Sequence, residues 1–172
     1  KFAKEIGKEP EEIYFRYYLR LADDWDQTIQ GGKLPGISGT YGRAGWGGRK
    51  SDGIKGWSAR GLFKMAVPDG NPLAGRTPVG FYCYHADMKG NYGTNWIWNK
   101  NYHGYVISDV RFRLNDELKI EQVWMNLYHG GKLPSPRDQH IFIDNVVIAS
   151  QYIGPMHSAL NAEPASLRGS TS

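Results

Sequence analysis

The alternation between Ile13 and Leu21 constrains this chain more than any other feature. Ile13, Phe15, Tyr17, Leu19 and Leu21 fall on one face of an extended segment, and Tyr14, Arg16, Tyr18 and Arg20 fall on the other. A sustained period of two built from β-forming residues fits a strand; in a helix the same side chains would spiral around every face. Similar segments run over Trp57–Val67, Val79–His85, Val106–Leu114, Ile120–Tyr128 and His140–Ala149. With 22 Gly and 9 Pro, the chain separates these segments by tight turns rather than by helices. The pattern predicts an all-β fold, an antiparallel two-sheet sandwich, and it excludes βαβ units. Only residues 1–12, a polar lead-in, could be helical. The sandwich domain is expected over 13–156, with 157–172 as a flexible tail or linker rich in Ala, Glu, Pro and Ser. Glycine is so dense from Gly31 to Gly56 that this stretch reads as a long loop with short extended pieces, and GGKLPG within it reads as a turn. GGKLP recurs at 130–134, but the flanks of the two copies do not match, so Lys132 echoes Lys33 without implying a duplicated unit.

Composition narrows the chemistry. Cys83 is the single cysteine, which excludes an internal disulfide and any CxxC site. His103, His129 and His140 lack metal-ligand spacing, so no metal site is expected. No apolar run reaches the roughly 18 residues of a membrane span. The chain opens at Lys1 without a charged-then-apolar leader, which leaves secretion open. A net charge of +4 suits a polyanionic partner but does not choose among polyanions. The basic residues are scattered and no DNA- or RNA-binding motif occurs, so nucleic acid is not expected as the partner.

Three stretches carry reactive side chains. Lys33 lies in GGKLPG. Ser58 and Arg60 are an i, i+2 pair in GWSARG and share one strand face, with Lys64 further along it. Tyr82 and Tyr84 form a second such pair in FYCYH, while Phe81, Cys83 and His85 take the opposite face. His85 therefore reads as a core residue, although it is also the next candidate base or substrate contact after the tyrosines. The set offers cations, a hydroxyl and phenols but no pair of carboxylates, since Asp52, Asp69 and Asp87 fall in turns. That argues against glycoside hydrolysis, which flanks the scissile bond with two Asp or Glu residues. It suits proton abstraction beside a carboxylate: cations neutralise the acid, and a phenol whose pKa they depress moves the proton. The corresponding reaction is β-elimination on a uronic acid polymer. A rival reading is a non-catalytic carbohydrate-binding or surface-structural sandwich, for which Trp46, Trp57, Trp96 and Trp98 offer aromatic rings.

Taken in order, YFRYYLRL leading into GGKLPG, the Ser-x-Arg strand, the Tyr-x-Tyr strand and the closing IEQVWMNLYHGG and DQHIFIDNVVIASQYIGPM segments resemble the polysaccharide lyases of the alginate and glucuronan lyase type. The resemblance spans about Ile13 to Met156. It implies a concanavalin A-like jelly-roll sandwich, a secreted protein (extracellular or periplasmic) and an acidic polysaccharide as substrate. It implies Lys33, Ser58, Arg60, Tyr82 and Tyr84 as the catalytic set, with Lys33 and Arg60 neutralising the carboxylate and Tyr82 or Tyr84 moving the proton. Lys64, His85 and Trp57 are expected to contact substrate. No cofactor is required, and a structural calcium is compatible with the family. One departure stands out: NWIWNKNYHGYVISDVRFR runs from a Trp-rich strand to Arg113 without the two intervening strands that relatives carry. A missing hairpin would leave neighbouring strands unpaired and one wall of the groove altered.

Overall fold

A computed structural model describes residues 1–26, 30–97, 110–130 and 134–154. The protein is an all-β antiparallel sandwich. One short helix, α1 (Phe2–Ile6), precedes β1 (Tyr14–Leu21), β2 (Gly31–Gly39), β3 (Trp57–Lys64), β4 (Val79–Tyr84), β5 (Thr94–Ile97), β6 (Gln122–Trp124), β7 (Tyr128–His129) and β8 (Ile141–Ala149). The larger sheet runs β5-β4-β3-β2-β6, with β7 also paired to β2; the smaller joins the first strand, β1, to the last, β8. Trp25 and Leu19 of the smaller layer pack with Leu34, Phe63, Val79 and Ile141, and the Trp25 ring meets Phe63 edge-on at 5.1 Å. A second core cluster forms at the other end, where Phe2, Ile13 and Phe112 cover Trp57, Leu118 and Ile120. The lead-in is thus docked rather than loose: the Phe2 amide donates to the Glu121 carbonyl, and Lys1 pairs with the Glu121 carboxylate. Burial raises the Glu121 pKa, but bonds from Lys1, the Tyr41 amide and Thr40 outweigh it and hold the carboxyl below its usual range.

The expected loop at 31–56 is corrected by β2, a central strand of nine residues, GGKLPGISG. Glycine is required there by contact. A Cβ on Gly32 would lie 2.3 Å from the Phe63 ring, and one on Gly36 would lie 2.2 Å from the Ala59 carbonyl oxygen. The proline is tolerated because the register breaks between Leu34 and Gly36, so Pro35 sits in a bulge where no ladder donor is needed. Its carbonyl instead accepts the Tyr17 hydroxyl from β1, at 3.2 Å. Burial pushes the Tyr17 pKa up to about 12.

Other expectations shift in detail. The segment at Ile120–Tyr128 resolves into two short strands, β6 and β7, both on β2. Of the strand expected at Val106–Leu114, residues 110–114 run outside any strand, and Arg111 and Arg113 pair with Asp87 and Glu11. The question of a hairpin between Trp98 and Arg111, together with His103, Lys132 and the tail 157–172, lies outside the described residues.

Tyr17→Phe removes the hydroxyl that caps the bulge, so it should lower stability by about 1–3 kcal/mol, the cost of an orphaned buried carbonyl. Gly61→Ala should also destabilise, because its Cβ would meet Leu34 Cβ at 2.7 Å and the Tyr17 hydroxyl at 2.8 Å. Gly90→Ala, with nothing but the Tyr92 amide nitrogen at 4.0 Å, should stay within about 0.5 kcal/mol of the parent. Equilibrium denaturant unfolding measures all three.

Candidate active site

Strand pairing puts the reactive residues on one face. Arg60 pairs with Tyr82 and Ser58 with Tyr84 across β3 and β4, and directly opposed residues in antiparallel strands share a side. Lys33 should be on the other side, since Ile37 of the same strand faces the core with Ala59. The bulge at Pro35 inverts that parity: Gly36 pairs with Arg60, and one extra residue later Lys33 pairs with Leu62. Lys33 Nζ consequently lies 4.1 Å from the Tyr82 ring centroid. This face is turned away from the smaller sheet. Lys64 shares it through strand alternation.

The two cations occupy unusual surroundings. Arg60 is only 6% exposed, and no Asp or Glu forms an ion pair with it or with Lys33 among the described residues. The guanidinium lies 4.8 Å from the Trp124 ring and 5.5 Å from that of Tyr82, and Nη1 donates to Asn126 Oδ1 at 3.3 Å. Its buried Nε has no hydrogen-bond partner among the described residues. Burial, reinforced by the charges of Arg60 and Lys64, lowers the Lys33 pKa to about 8. Tyr82 moves the opposite way. Burial raises its pKa, the bond to the Tyr84 hydroxyl raises it further, and the Gly93 amide and Arg60 only partly offset them. The expected depression of a phenol pKa by cations is therefore not met at Tyr82, because desolvation of the phenolate outweighs the charge of Arg60.

The five expected catalytic residues gather here, but with different environments. Tyr82 is 8% exposed, and its hydroxyl accepts the Gly93 amide at 2.9 Å. Tyr84 is 1% exposed; its hydroxyl accepts the Gly48 amide at 3.1 Å, and its ring meets Tyr82 edge-on at 5.5 Å. Ser58 is fully buried and donates to the Gly45 carbonyl at 2.6 Å. Together they form a covered floor: Tyr84 and Ser58 lie under the 45–48 loop, and Lys33 is half-buried beside Tyr82.

Two expected substrate contacts are corrected. Trp57 faces the core with Leu118 and Ile120, and its indole N–H donates to the Lys119 carbonyl at 3.2 Å. His85 lies on the side away from the tyrosines, its ring 5.4 Å from Trp96 and its Nε2 3.0 Å from Thr94 Oγ1. Burial holds the His85 pKa below its ordinary value, as fits its reading as a core residue. Conversely, Trp124, Asn126 and Tyr128 were not singled out from the sequence. Their signal is the i, i+2 spacing in QVWMNLY, with Met125 and Leu127 between them. Among the described residues no group of three His, Cys, Asp or Glu side chains could hold a metal ion, and no helix is long and apolar enough to cross a membrane.

No protein-family model and no curated protein matches the chain. Two solved structures do. One is the alginate lyase Aly36B, 20% identical over 86% of this chain and 73% of its own, with a TM-score of 0.66. The other is a double mutant of the same alginate lyase in complex with alginate trisaccharide, also 20% identical with a TM-score of 0.66, over 83% of this chain and 71% of its own. The chain shares the fold of these alginate lyase structures.

Proposed function

We propose that this protein is a polysaccharide lyase that cleaves a uronic-acid-containing polymer, of the alginate or glucuronan type, by β-elimination. The observation that carries the reading is the pair of cations without acidic partners, buried Arg60 and half-buried Lys33, set against the protonated phenol of Tyr82. A buried guanidinium without a carboxylate is costly unless a ligand anion completes it. A uronate carboxylate accepting from Arg60 would do so, with Asn126 orienting the guanidinium. Neutralising that carboxylate stabilises the charge that develops when the C5 proton leaves.

The proton acceptor is Lys33 in its neutral form, the group whose pKa is brought nearest to neutrality. Lys33 takes the C5 proton, the C4=C5 double bond forms, and the C4–O bond to the leaving sugar breaks. Tyr82 keeps its proton because burial and the bond to Tyr84 raise its pKa; its oxygen accepts from Gly93, and its O–H turns from Tyr84 to the leaving oxygen as the donor. Tyr84 and Ser58, engaged with loop backbone, position the floor. The likeness in fold to an alginate lyase is support of a coarser kind. A polymer cannot cross a membrane to reach its enzyme, so the reading includes secretion. The non-catalytic sandwich remains a second reading, favoured by the complete burial of Tyr84 and Ser58.

Incubation with alginate, glucuronan and other acidic glycans, followed by the ultraviolet absorbance of the unsaturated uronate, tests the proposal. Binding without any unsaturated product would favour the second reading. Lys33→Met should lower kcat by about 10²-fold or more, and Tyr82→Phe by about 10²-fold with binding kept. A silent Lys33→Met beside an inactive Tyr82→Phe would return the base role to the phenol.

The pH profile follows from the charge state. Lys33 accepts a proton only when neutral, so kcat/KM should rise tenfold per pH unit below a limb near 8 and level off above it. Arg60 is one cause of the lowered Lys33 pKa, so the residual activity of Arg60→Gln should show that limb displaced upward.

A further inference from the structure

Residues 43–50, RAGWGGRK, form a β-hairpin tip that the proposed chemistry does not use. Trp46 bridges Arg49, the Arg49 amide donates to the Trp46 carbonyl at 2.8 Å, and the Gly45 amide donates to the Arg49 carbonyl at 2.9 Å. The two residues at the turn, Gly47 and Gly48, have φ of 56° and 80°. That is the pattern of a type I′ turn, which a non-glycine pair would adopt only under strain. The tip is fastened to the site floor from both arms: Ser58 Oγ donates to the Gly45 carbonyl, and the Gly48 amide donates to the Tyr84 hydroxyl. A second loop joins it, with the Gly93 amide on the Tyr82 hydroxyl and the exposed Tyr92 ring beside Gly48.

What this tip presents is chemically specific. Arg49 is exposed and stacks its guanidinium 3.9 Å from the ring centre of half-buried Trp46. Arg43 and Lys50 flank it, both exposed, and the segment contains no acid. Among the described residues, none of the three cations has an ion-pair partner; Arg43 lies over the Tyr41 ring and Lys50 donates to the Lys89 carbonyl. A solvated charge usually costs nothing to leave unpaired. Holding three on one hairpin of fixed geometry, one of them stacked on an indole beside an exposed tyrosine, builds a surface for a ring that carries a negative charge.

We propose that Trp46, Arg49 and Tyr92 form a distal subsite that binds a uronate residue of the polymer away from the bond being broken. The sugar's apolar face lies on the aromatic rings and its carboxylate meets Arg49. Ser58 and Tyr84 act as positioning residues that hold the hairpin beside the site. The inference rests on a uronate polymer being the ligand, as proposed above.

The test uses the full chain with polymeric alginate and with its trisaccharide, following calorimetric binding and initial lyase rates together. Arg49→Gln and Trp46→Ala should each weaken polymer binding and raise KM by about 3- to 10-fold, with kcat changing less than about twofold and the trisaccharide little affected. Added salt should shrink the effect of Arg49→Gln but not that of Trp46→Ala, because only the first is a screened charge. Lys4→Gln, on α1, controls for loss of net charge. Tyr84→Phe should raise KM for the polymer by freeing the hairpin. If it instead lowers kcat about 10²-fold at constant KM, the positioning role is overturned. If the parent binds and cleaves while Arg49→Gln and Trp46→Ala match it on the polymer, the subsite is overturned and the lyase reading stands. If the parent binds without cleaving and these variants bind weakly, the subsite stands and the lyase reading falls. A parent that neither binds nor cleaves alginate, glucuronan or any other acidic glycan overturns both.

Discussion

The bulge at Pro35 is the constraint on which the site depends. A strand displays alternate residues on opposite faces, and a single added residue moves everything beyond it to the other side. Without that residue Lys33 would point into the sandwich core with Leu34's neighbours, and Arg60 would have no second cation beside it. Three elements hold the bulge in place. Pro35 needs no ladder donor, Gly61 leaves room on β3, and the Tyr17 hydroxyl reaches across from β1 to its carbonyl. The smaller sheet thereby helps to set the geometry of a face it never touches.

The cations that result are a liability to the fold. Desolvating a guanidinium without an acid costs several kcal/mol before compensation. The structure offsets part of it with three aromatic rings, from Tyr82, Tyr84 and Trp124, and one amide oxygen, from Asn126. Each is a weaker partner than a carboxylate, and that weakness has a use. A carboxylate in the same place would neutralise Arg60 permanently and, under the proposed function, repel the acidic substrate. Rings and an amide stabilise the charge without cancelling it, which keeps it available to an incoming anion.

Much of the fold was legible because alternation is local. YFRYYLRL, WSARGLFK and VGFYCY each announce a strand and sort their side chains by face, and the Ser58–Arg60 and Tyr82–Tyr84 pairs follow from that sorting alone. The third element of the site was not legible in this way. GGKLPGISG has the composition of a loop; it is a strand because Phe63, Ala59 and Tyr128 approach its backbone too closely for side chains. Those neighbours come from distant sequence, and so does the register break that re-aims Lys33. Trp57 is ambiguous in sequence for a related reason, since an aromatic residue suits a sugar platform and a core equally and only its partners Leu118 and Ile120 decide. QVWMNLY carries a local signal of its own, because Trp124, Asn126 and Tyr128 alternate onto one face.

Side-chain type also proved a poor guide to role. A phenol beside two cations suggests an acidified tyrosine, and a lysine beside an arginine suggests a second fixed charge. Burial decides otherwise, because it penalises whichever form is ionised: phenolate for Tyr82, ammonium for Lys33. The two pKa values are pushed in opposite directions, the lysine down to about 8 and the phenol up. Arg60 adds to the shift at Lys33 and opposes the one at Tyr82, so the same neighbour reinforces desolvation in one case and fails to overcome it in the other. Under the proposed reaction, two groups separated in this way divide proton transfer between an acceptor and a donor, and that division is set by their shared environment rather than by the residue types that sequence displays.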